Sequence, residues 1–349
     1  MRILGIESSC DETAAAVVED GRVILSNVIA SSVKEHQAFG GVVPEIASRQ
    51  HLISMIPVLD EAVGDLGGLE GVDALAVTAG PGLVGSLLVG LMTAKTLAWL
   101  TGKPLVGVHH LEAHLQSPFV GWPDKPPPEA VYPQLALLVS GGHTLLFHVT
   151  APRQRMLLGA TRDDAVGEAY DKAAKILGLG YPGGRIIDEL AAQGDPSLYP
   201  LPIGLRHSGD LDTSFSGLKT ALTLLVARLE DERVDRDLRH VCAGFQQAVV
   251  TALVEKMEKA LGQVPVRQIV IAGGVAANSH LRAQTVSLAQ RHGLSCVLPP
   301  RSLCTDNAAM VAAAGHLALE AGERAGLELN AFASSSLSRR RGDLRLCQE

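Results

Sequence analysis

Two stretches of this sequence decide its fold, because each has the pattern of a strand, a small polar loop and a returning strand. The first is RILGIESSCDETAAAVV at residues 2–18, and the second is QLALLVSGGHTLLFHV at residues 134–149. In both, small polar residues that favour tight turns separate two apolar runs of strand length. We interpret them as one hairpin present twice, and therefore as an internal duplication. Two such loops facing a shared cleft suit a nucleotide, with one loop in each half holding its phosphates.

Length and composition indicate two α/β halves. The chain has 349 residues, which is long for one core, and hydrophobic residues make up 47% of it while aromatic residues make up 3%. Such a core favours helices packed closely on parallel sheet. Three consecutive prolines mark a linker. The predicted parts are a first half at 1–122, a linker at 123–133, a second half at 134–300, a C-terminal helix at 301–325 that returns to the first half, and a mobile tail at 326–349.

Charge and cysteine content exclude some classes of protein. The net charge is −7, with 30 basic and 37 acidic residues, which argues against a general nucleic-acid-binding coat. Five scattered cysteines without a CxxC pair are typical of reduced thiols in the cytosol. The chain begins directly with a strand, and the apolar run at 83–100 is interrupted by polar and small residues. We expect a soluble cytoplasmic protein with no membrane segment.

The stretch LVGVHHLEAHL at residues 105–115 carries the clearest chemical signal. If a helix follows the apolar run, His110 and His114 lie one turn apart on one face, where two imidazoles can share a metal. The alternative is that they are polar surface or satisfied core groups. Glu112 lies about 200° around the helix from His110, so we expect it to point away from the metal. In zinc peptidases the glutamate follows the first histidine directly, so a peptidase is disfavoured.

Other polar positions have both a functional and a structural interpretation. The loop at 7–13 could hold phosphate and place Asp11 near a metal or a reacting group, or its residues could simply form a turn. Asn278 ends a glycine-rich junction suited to an adenosine. Asp188 is expected in the first turn of a helix, where acidic residues often only complement the helix dipole. Thr305 or Asp306 is expected to cap the last helix.

Eight motifs in this order resemble one family. They are GIESSCDET (5–13), GVVPEIASR (41–49), HHLEAH (109–114), LVSGGHT (138–144), GEAYDK (167–172), YPGG (181–184), AGGVAAN (272–278) and TDN (305–307). Together they resemble the bacterial tRNA N6-adenosine threonylcarbamoyltransferases (TsaD), once labelled O-sialoglycoprotein endopeptidases. The resemblance covers roughly residues 2 to 325. One departure is Ala113, where the family more often has glycine.

The resemblance implies a fold, a metal site and a substrate site. The fold would be actin-like, of the hexokinase and Hsp70 type, with duplicated RNase H-like halves around a nucleotide cleft. His110, His114 and Asp306 match the metal ligands; iron (Fe²⁺) is expected and zinc also fits the donor set. Asp11 and Glu12 are the catalytic candidates. The positions that match the binding site for threonylcarbamoyl-adenylate are Val139, Ser140, Gly141, Gly142, His143, Asp171, Gly184, Asp188 and Asn278.

The resemblance also implies a reaction and its partners. The threonylcarbamoyl group would pass from the adenylate to N6 of adenosine-37 in tRNAs that read ANN codons, with the metal offsetting developing charge and Asp11 acting as base or orienting group. An inactive paralogue (TsaB) and a small ATPase (TsaE) would be partners. A metallopeptidase, a small-molecule kinase of the same fold and a non-catalytic scaffold are the alternatives. The histidine pair disfavours the last two.

Overall fold

The computed structural model of the chain describes residues 1–229 and 231–334. They form two compact units, one joining Met1–Ala130 to the chain from Ser302 onward and the other spanning Val131–Arg301. The predicted mobile tail lies outside the described residues from position 335 on. The described strands are β1 (Arg2–Glu7), β2 (Glu12–Glu19), β3 (Val23–Ser31), β4 (Ala74–Gly80), β5 (Leu105–His109), β6 (Gln134–Val139), β7 (Thr144–Ala151), β8 (Gln154–Ala160), β9 (Gln268–Ala272) and β10 (Ser295–Val297).

The described α-helices lie between groups of these strands and after the last one. They are α1 (Val33–Gln37), α2 (Pro44–Gly64), α3 (Val84–Thr101), α4 (His110–Gln116), α5 (Val166–Ile176), α6 (Gly183–Ala191), α7 (Ser216–Arg228), α8 (Asp231–Leu261), α9 (Ser279–Arg291) and α10 (Ala308–Glu320). Helix α2 begins at Pro44, because proline is tolerated at a first helical position, where no intrahelical N–H bond is needed.

The two units repeat one sheet topology. In the first unit the strand order is β3-β2-β1-β4-β5, and in the second it is β10-β9-β6-β7-β8, which is the same order read from the other edge. The hairpins β1–β2 and β6–β7 are antiparallel, while β1–β4 and β6–β9 are parallel. Both sheets are therefore mixed, whereas the composition favoured parallel sheet; the predicted duplication of the hairpin is confirmed.

The first unit buries both faces of its sheet. Ile3 points to one face, where it packs with α10, and Leu4 points to the other, where it packs with residues of α2 and α3. Gly5 allows α10 to approach closely, since a Cβ there would lie 2.2 Å from the Ala308 carbonyl oxygen. This contact fixes the start of α10 against β1.

Two details of the helices differ from the sequence prediction. Asp188 lies in the second turn of α6, since that helix begins at Gly183. The N-cap of α10 is Asn307, whose side chain accepts a hydrogen bond from the Met310 N–H. Neither Thr305 nor Asp306 is the cap, which leaves the Asp306 carboxylate available for other contacts.

Helix α3 has an apolar outer face. By length and composition alone it could cross a membrane, with a mean hydropathy of 1.4 and 28% of its residues buried. Leu91 and Ala94 nevertheless pack in the core of the first unit, and core helices pass the same test. The finding is weak evidence for a membrane segment.

Candidate metal centre and substrate site

His110 and His114 have the helical spacing that the sequence predicts. Strand β5 ends at His109, whose side chain caps α4 by accepting a hydrogen bond from the Leu111 N–H at 3.2 Å. His110 is then the first helical residue, and His114 follows one turn later. Their ring centroids are 4.6 Å apart, so both imidazoles face the same small volume.

Asp306 completes a group of three potential metal ligands. It lies just before α10, and its Oδ1 is 3.1 Å from His114 Nε2 and 3.6 Å from His110 Nε2. One ligand atom from each of the three residues lies within 4.8 Å of the others. Two imidazoles and a carboxylate form a donor set typical of iron and zinc sites.

The environment of His114 fits a bound cation. Its side chain is buried, and neither of its ring nitrogens has a hydrogen-bond partner among the described residues. The 3.1 Å approach to Asp306 is close enough for an ion pair but lacks hydrogen-bond geometry. Because a buried polar group without a partner is costly, a cation shared by His114 and Asp306 would satisfy both.

The electrostatics of this group are dominated by opposite charges in a buried volume. Burial alone would lower the pKa of His110, but Asp306 and Glu7 together raise it to about 9. Burial alone would raise the pKa of Asp306, but His110 and His114 lower it to about 2. Asp306 is therefore an anion across the physiological range.

Sequence reasoning missed the groups that hold His110. Its Nδ1 lies 3.1 Å from Glu7 Oε2 and 3.2 Å from Ser9 Oγ. The same Glu7 carboxylate accepts hydrogen bonds from Thr78 Oγ1 at 2.6 Å and from the Ser9 N–H at 2.5 Å. The strand pairing would have identified these groups. Strands β1, β4 and β5 are parallel neighbours, so residues at their carboxyl ends lie close together.

The loop that carries Asp11 and Glu12 is held by a buried histidine. His51 Nδ1 lies 2.7 Å from Thr13 Oγ1, and its Nε2 lies 3.0 Å from the Cys10 carbonyl oxygen. Burial and the charge of Asp306 raise the pKa of Asp11. Burial, Asp11 and Asp306 raise the pKa of Glu12 to about 8. The loop thus presents two carboxyl groups whose pKa values are raised above their ordinary values.

In the second unit, Asp188 and Asn278 belong to one hydrogen-bonded network. Asp188 accepts hydrogen bonds from the Ser279 N–H at 3.0 Å, from Ser279 Oγ at 2.8 Å and from Gln246 Nε2 at 3.1 Å. Asn278 caps α9 by accepting from the Leu281 N–H, and its Nδ2 donates to Gln246 Oε1 at 2.8 Å. Gln246, which the sequence did not single out, links the two.

The other predicted substrate positions of the second unit lie at a turn and a helix start. The Ser140 N–H donates to the His143 carbonyl oxygen at 2.8 Å, which closes the turn after Val139. Gly141 and Gly142 are exposed, and a Cβ at either would meet nothing within 4 Å. Asp171 accepts from the Gly183 N–H at 2.8 Å, beside Gly184. Their role as substrate ligands stays a prediction.

The repeated units define a protein of the actin-like ATPase fold, and its first unit carries a histidine–histidine–aspartate group. Component A of the Acidaminococcus fermentans (R)-2-hydroxyglutaryl-CoA dehydratase is similar in structure, with a TM-score of 0.51 and 15% identity over 91% of this chain and 99% of its own. The Clostridium difficile 2-hydroxyisocaproyl-CoA dehydratase activator gives a TM-score of 0.52 and 13% identity over 92% and 97%. These likenesses confirm the predicted fold class.

The chain belongs to the TsaD family of tRNA N6-adenosine threonylcarbamoyltransferases, whose family model matches residues 23–313. The enzyme of that name from Anaeromyxobacter dehalogenans strain 2CP-C is 54% identical over 95% of this chain and 98% of its own length. The one from Syntrophus aciditrophicus is 52% identical over 95% and 96%. The chain is therefore a transferase that forms N6-threonylcarbamoyladenosine in tRNA, and the peptidase and kinase alternatives are not favoured.

Proposed function

We propose that the donor is threonylcarbamoyl-adenylate, that the acceptor is N6 of adenosine-37 in tRNAs that read ANN codons, and that the reaction depends on a divalent metal held by His110, His114 and Asp306. The observation that carries the proposal is the buried His114, whose ring nitrogens have no hydrogen-bond partner among the described residues beside the anionic Asp306. A tRNA substrate is consistent with a cytoplasmic location.

The proposed metal is Fe²⁺, and Zn²⁺ is the alternative that the same donors accept. A cation held by these three residues would supply Lewis acidity to a carbonyl oxygen of the substrate.

Asp11 and Glu12 are the proposed groups that accept or hold the proton of the attacking amine. Glu12 Oε1 accepts a hydrogen bond from Ser31 Oγ at 3.0 Å, while its buried Oε2 has no partner among the described residues. A carboxyl group with a pKa of about 8 can exchange a proton near neutral pH. As N6 bonds to the carbamoyl carbon and loses its proton to a carboxylate, the bond from that carbon to the phosphate oxygen breaks and AMP leaves.

The adenylate is proposed to bind at the second unit. The turn formed by Val139 to His143 presents two exposed glycines whose backbone can approach a ligand closely. Helix α6 begins beside Gly184, and the N–H groups of a helix N-terminus favour an anion. Asp171, Asp188 and Asn278 would then position the nucleoside by hydrogen bonds.

We also propose that an inactive paralogue of the TsaB type covers the apolar face of the first unit, and that a TsaE-type ATPase acts on that complex. The apolar face consists of exposed side chains on α2 and α3: Leu52, Ile53, Ile56, Val84, Leu88, Met92 and Trp99. Contiguous apolar surface of this kind marks protein interfaces, and an exposed Trp is a frequent anchor. Ile53→Ser should weaken binding of the purified paralogue in calorimetry, whereas Leu224→Ser in the second unit should not. Equal affinity of both variants would contradict the assignment.

The proposed function is tested by reconstituted transfer. The purified chain, both partners, threonylcarbamoyl-adenylate and unmodified tRNA are mixed, and the nucleosides are analysed by mass spectrometry. We expect threonylcarbamoyladenosine with the native chain and with the control His148→Ala, and none with His110→Ala. Absence of product from a folded, metal-loaded native chain would refute the proposed donor and acceptor.

A further inference from the structure

Glu7 is a buried carboxyl group to which the proposed reaction assigns no role. It is the last residue of β1 and is 0% exposed. A carboxylate in such a position is costly unless hydrogen bonds and an opposite charge compensate it. Its contacts therefore indicate why the fold retains it.

Three donors from three parts of the first unit surround this carboxylate. The Ser9 N–H points to one oxygen, and Thr78 Oγ1 and His110 Nδ1 lie at the other. Each of these groups can donate, so the contacts fit the carboxylate form of Glu7, which can only accept hydrogen bonds.

The acceptor-only character of Glu7 determines the tautomer of His110. Ser9 Oγ, 3.2 Å from the same ring nitrogen, can either donate or accept and so does not decide it. A lone pair on Nδ1 would face the Glu7 oxygen at 3.1 Å, which is repulsive. In the neutral ring the proton therefore lies on Nδ1, which leaves Nε2, on the side of Asp306, as the nitrogen that can bind a cation.

We propose that Glu7 is a positioning residue of the metal centre, which fixes His110 in the tautomer and ring orientation that let Nε2 bind the divalent cation. This inference rests on the metal site proposed above. Carboxylate partners of metal-binding histidines orient the ring and raise its basicity. His114 has no such partner among the described residues, so Glu7 acts on one of the two histidines only.

Glu7→Gln tests the tautomer directly because it keeps the shape of the side chain. If the amide nitrogen replaces the oxygen that faces His110, it donates to Nδ1, and the proton moves to Nε2 where it blocks the cation. If the amide nitrogen takes the other position, it opposes the Ser9 N–H. Either arrangement removes an interaction on which the ring orientation depends.

The experiment measures the affinity of the full-length purified chain for Zn²⁺ by competition with a chromophoric chelator, and the visible spectrum of the Co²⁺-loaded chain. We expect Glu7→Gln to weaken Zn²⁺ binding by about 10- to 100-fold and to change the Co²⁺ bands. Thr78→Val, which removes one donor to Glu7, should cause a smaller loss. The control is Glu19→Gln, at the other end of the β1–β2 hairpin, where the side chain pairs with Arg2. It should bind like the native chain.

A double-mutant comparison separates positioning from a general structural role. In a His110→Ala background, Glu7→Gln should weaken Zn²⁺ binding no further. In a His114→Ala background, it should weaken Zn²⁺ binding by the same factor as in the native chain. Native affinity in folded Glu7→Gln, or a loss that persists without His110, would overturn the inference. If Glu7→Gln does not fold, Thr78→Val is measured in both backgrounds instead. Its loss of Zn²⁺ affinity should likewise depend on His110 and not on His114. Absence of Zn²⁺ binding by the native chain would instead refute the metal site itself.

Discussion

Each unit contains a group of polar side chains near strand ends and helix starts. These are the histidine–aspartate group in the first unit and the Asp188–Asn278 network in the second, and they differ in how many of their polar atoms have hydrogen-bond partners. Asp188 and Asn278 have donors and acceptors within their own unit. His114 has none among the described residues, although it is buried beside Asp306. The proposed cation would supply the partner that the first group lacks, whereas the hydrogen bonds of the second group are made within its own unit.

The largest effect should follow from removing a ligand of the first group. His114→Ala should lower the bound metal from about one ion per chain to a small fraction and reduce transfer by more than about 100-fold, since even changes to groups that only orient a ligand cost 10- to 100-fold in affinity. Metal content by elemental mass spectrometry and the transfer assay measure both.

The matched control is His148→Ala, which removes a buried histidine whose Nε2 contacts the Pro265 carbonyl oxygen at 2.9 Å in the second unit. It should cost about 1–3 kcal/mol of stability and leave the metal content unchanged. Equal metal loss in both variants would mean that the His114 effect is merely structural.

Substitutions in the Asp188–Asn278 network should lower folding stability and leave metal binding unchanged. Asp188→Asn places an amide donor among the N–H and O–H donors of Ser279 and Gln246, and removes a charge from the start of α9. We expect a loss of about 1–3 kcal/mol in urea unfolding with native metal content.

Glu189→Gln is the control for that substitution, because it changes an exposed ion pair with Arg185 on the same helix. Its effect should stay within about 0.5 kcal/mol. A native-like stability of Asp188→Asn would show that the network is not a support, and would favour a purely ligand-binding role for Asp188.

The loop that carries Glu12 should make the folding stability depend on pH. The pKa of Glu12 is about 8 in the folded chain against an ordinary value of 4.5. Between these values the unfolded chain has lost the proton that the folded chain keeps, so this residue lowers stability progressively as the pH rises. Glu12→Gln should therefore stabilise the fold at about pH 8 and change it little below about pH 4.5.

Melting temperatures at both pH values test this, with Glu19→Gln as the control at the other end of β2. The same variant should have lower transfer activity if Glu12 takes part in proton transfer, a combination of gain and loss that is expected where a buried charge serves function. A stabilisation of equal size at both pH values would contradict the pKa assignment.

The sequence was sufficient for what depends on local periodicity. The repeated hairpins and the one-turn spacing of His110 and His114 both follow from short patterns of apolar and polar residues. Asp306 came from the resemblance alone, because nothing local to it identifies a ligand. The cap of α10 was misplaced by one or two residues since Thr305, Asp306 and Asn307 are all good caps.

The groups missed are those whose partners are distant in the chain. Glu7 and His110 are separated by 103 positions, and Gln246 and Asp188 by 58. Only the strand order places Glu7, Thr78 and His110 at one edge of the sheet. A buried carboxylate in a strand-end motif gives no periodic signal, so its function can be inferred only once the pairing of the strands is known.

The smallest stability effect should come from Gly141→Ala. This variant distinguishes the role of the turn at 139–143 from that of the Asp188–Asn278 network. A Cβ at Gly141 would meet no atom within 4 Å, so protein packing does not require glycine there and unfolding should change by less than about 0.5 kcal/mol. If the turn holds the adenylate, the added methyl group would obstruct close approach of the ligand, and AMP binding measured by calorimetry should weaken severalfold. Asp188→Asn would then lower stability and Gly141→Ala would lower affinity, which assigns support and contact to different residues of one unit. Unchanged AMP affinity in folded Gly141→Ala would remove the turn from the proposed binding site.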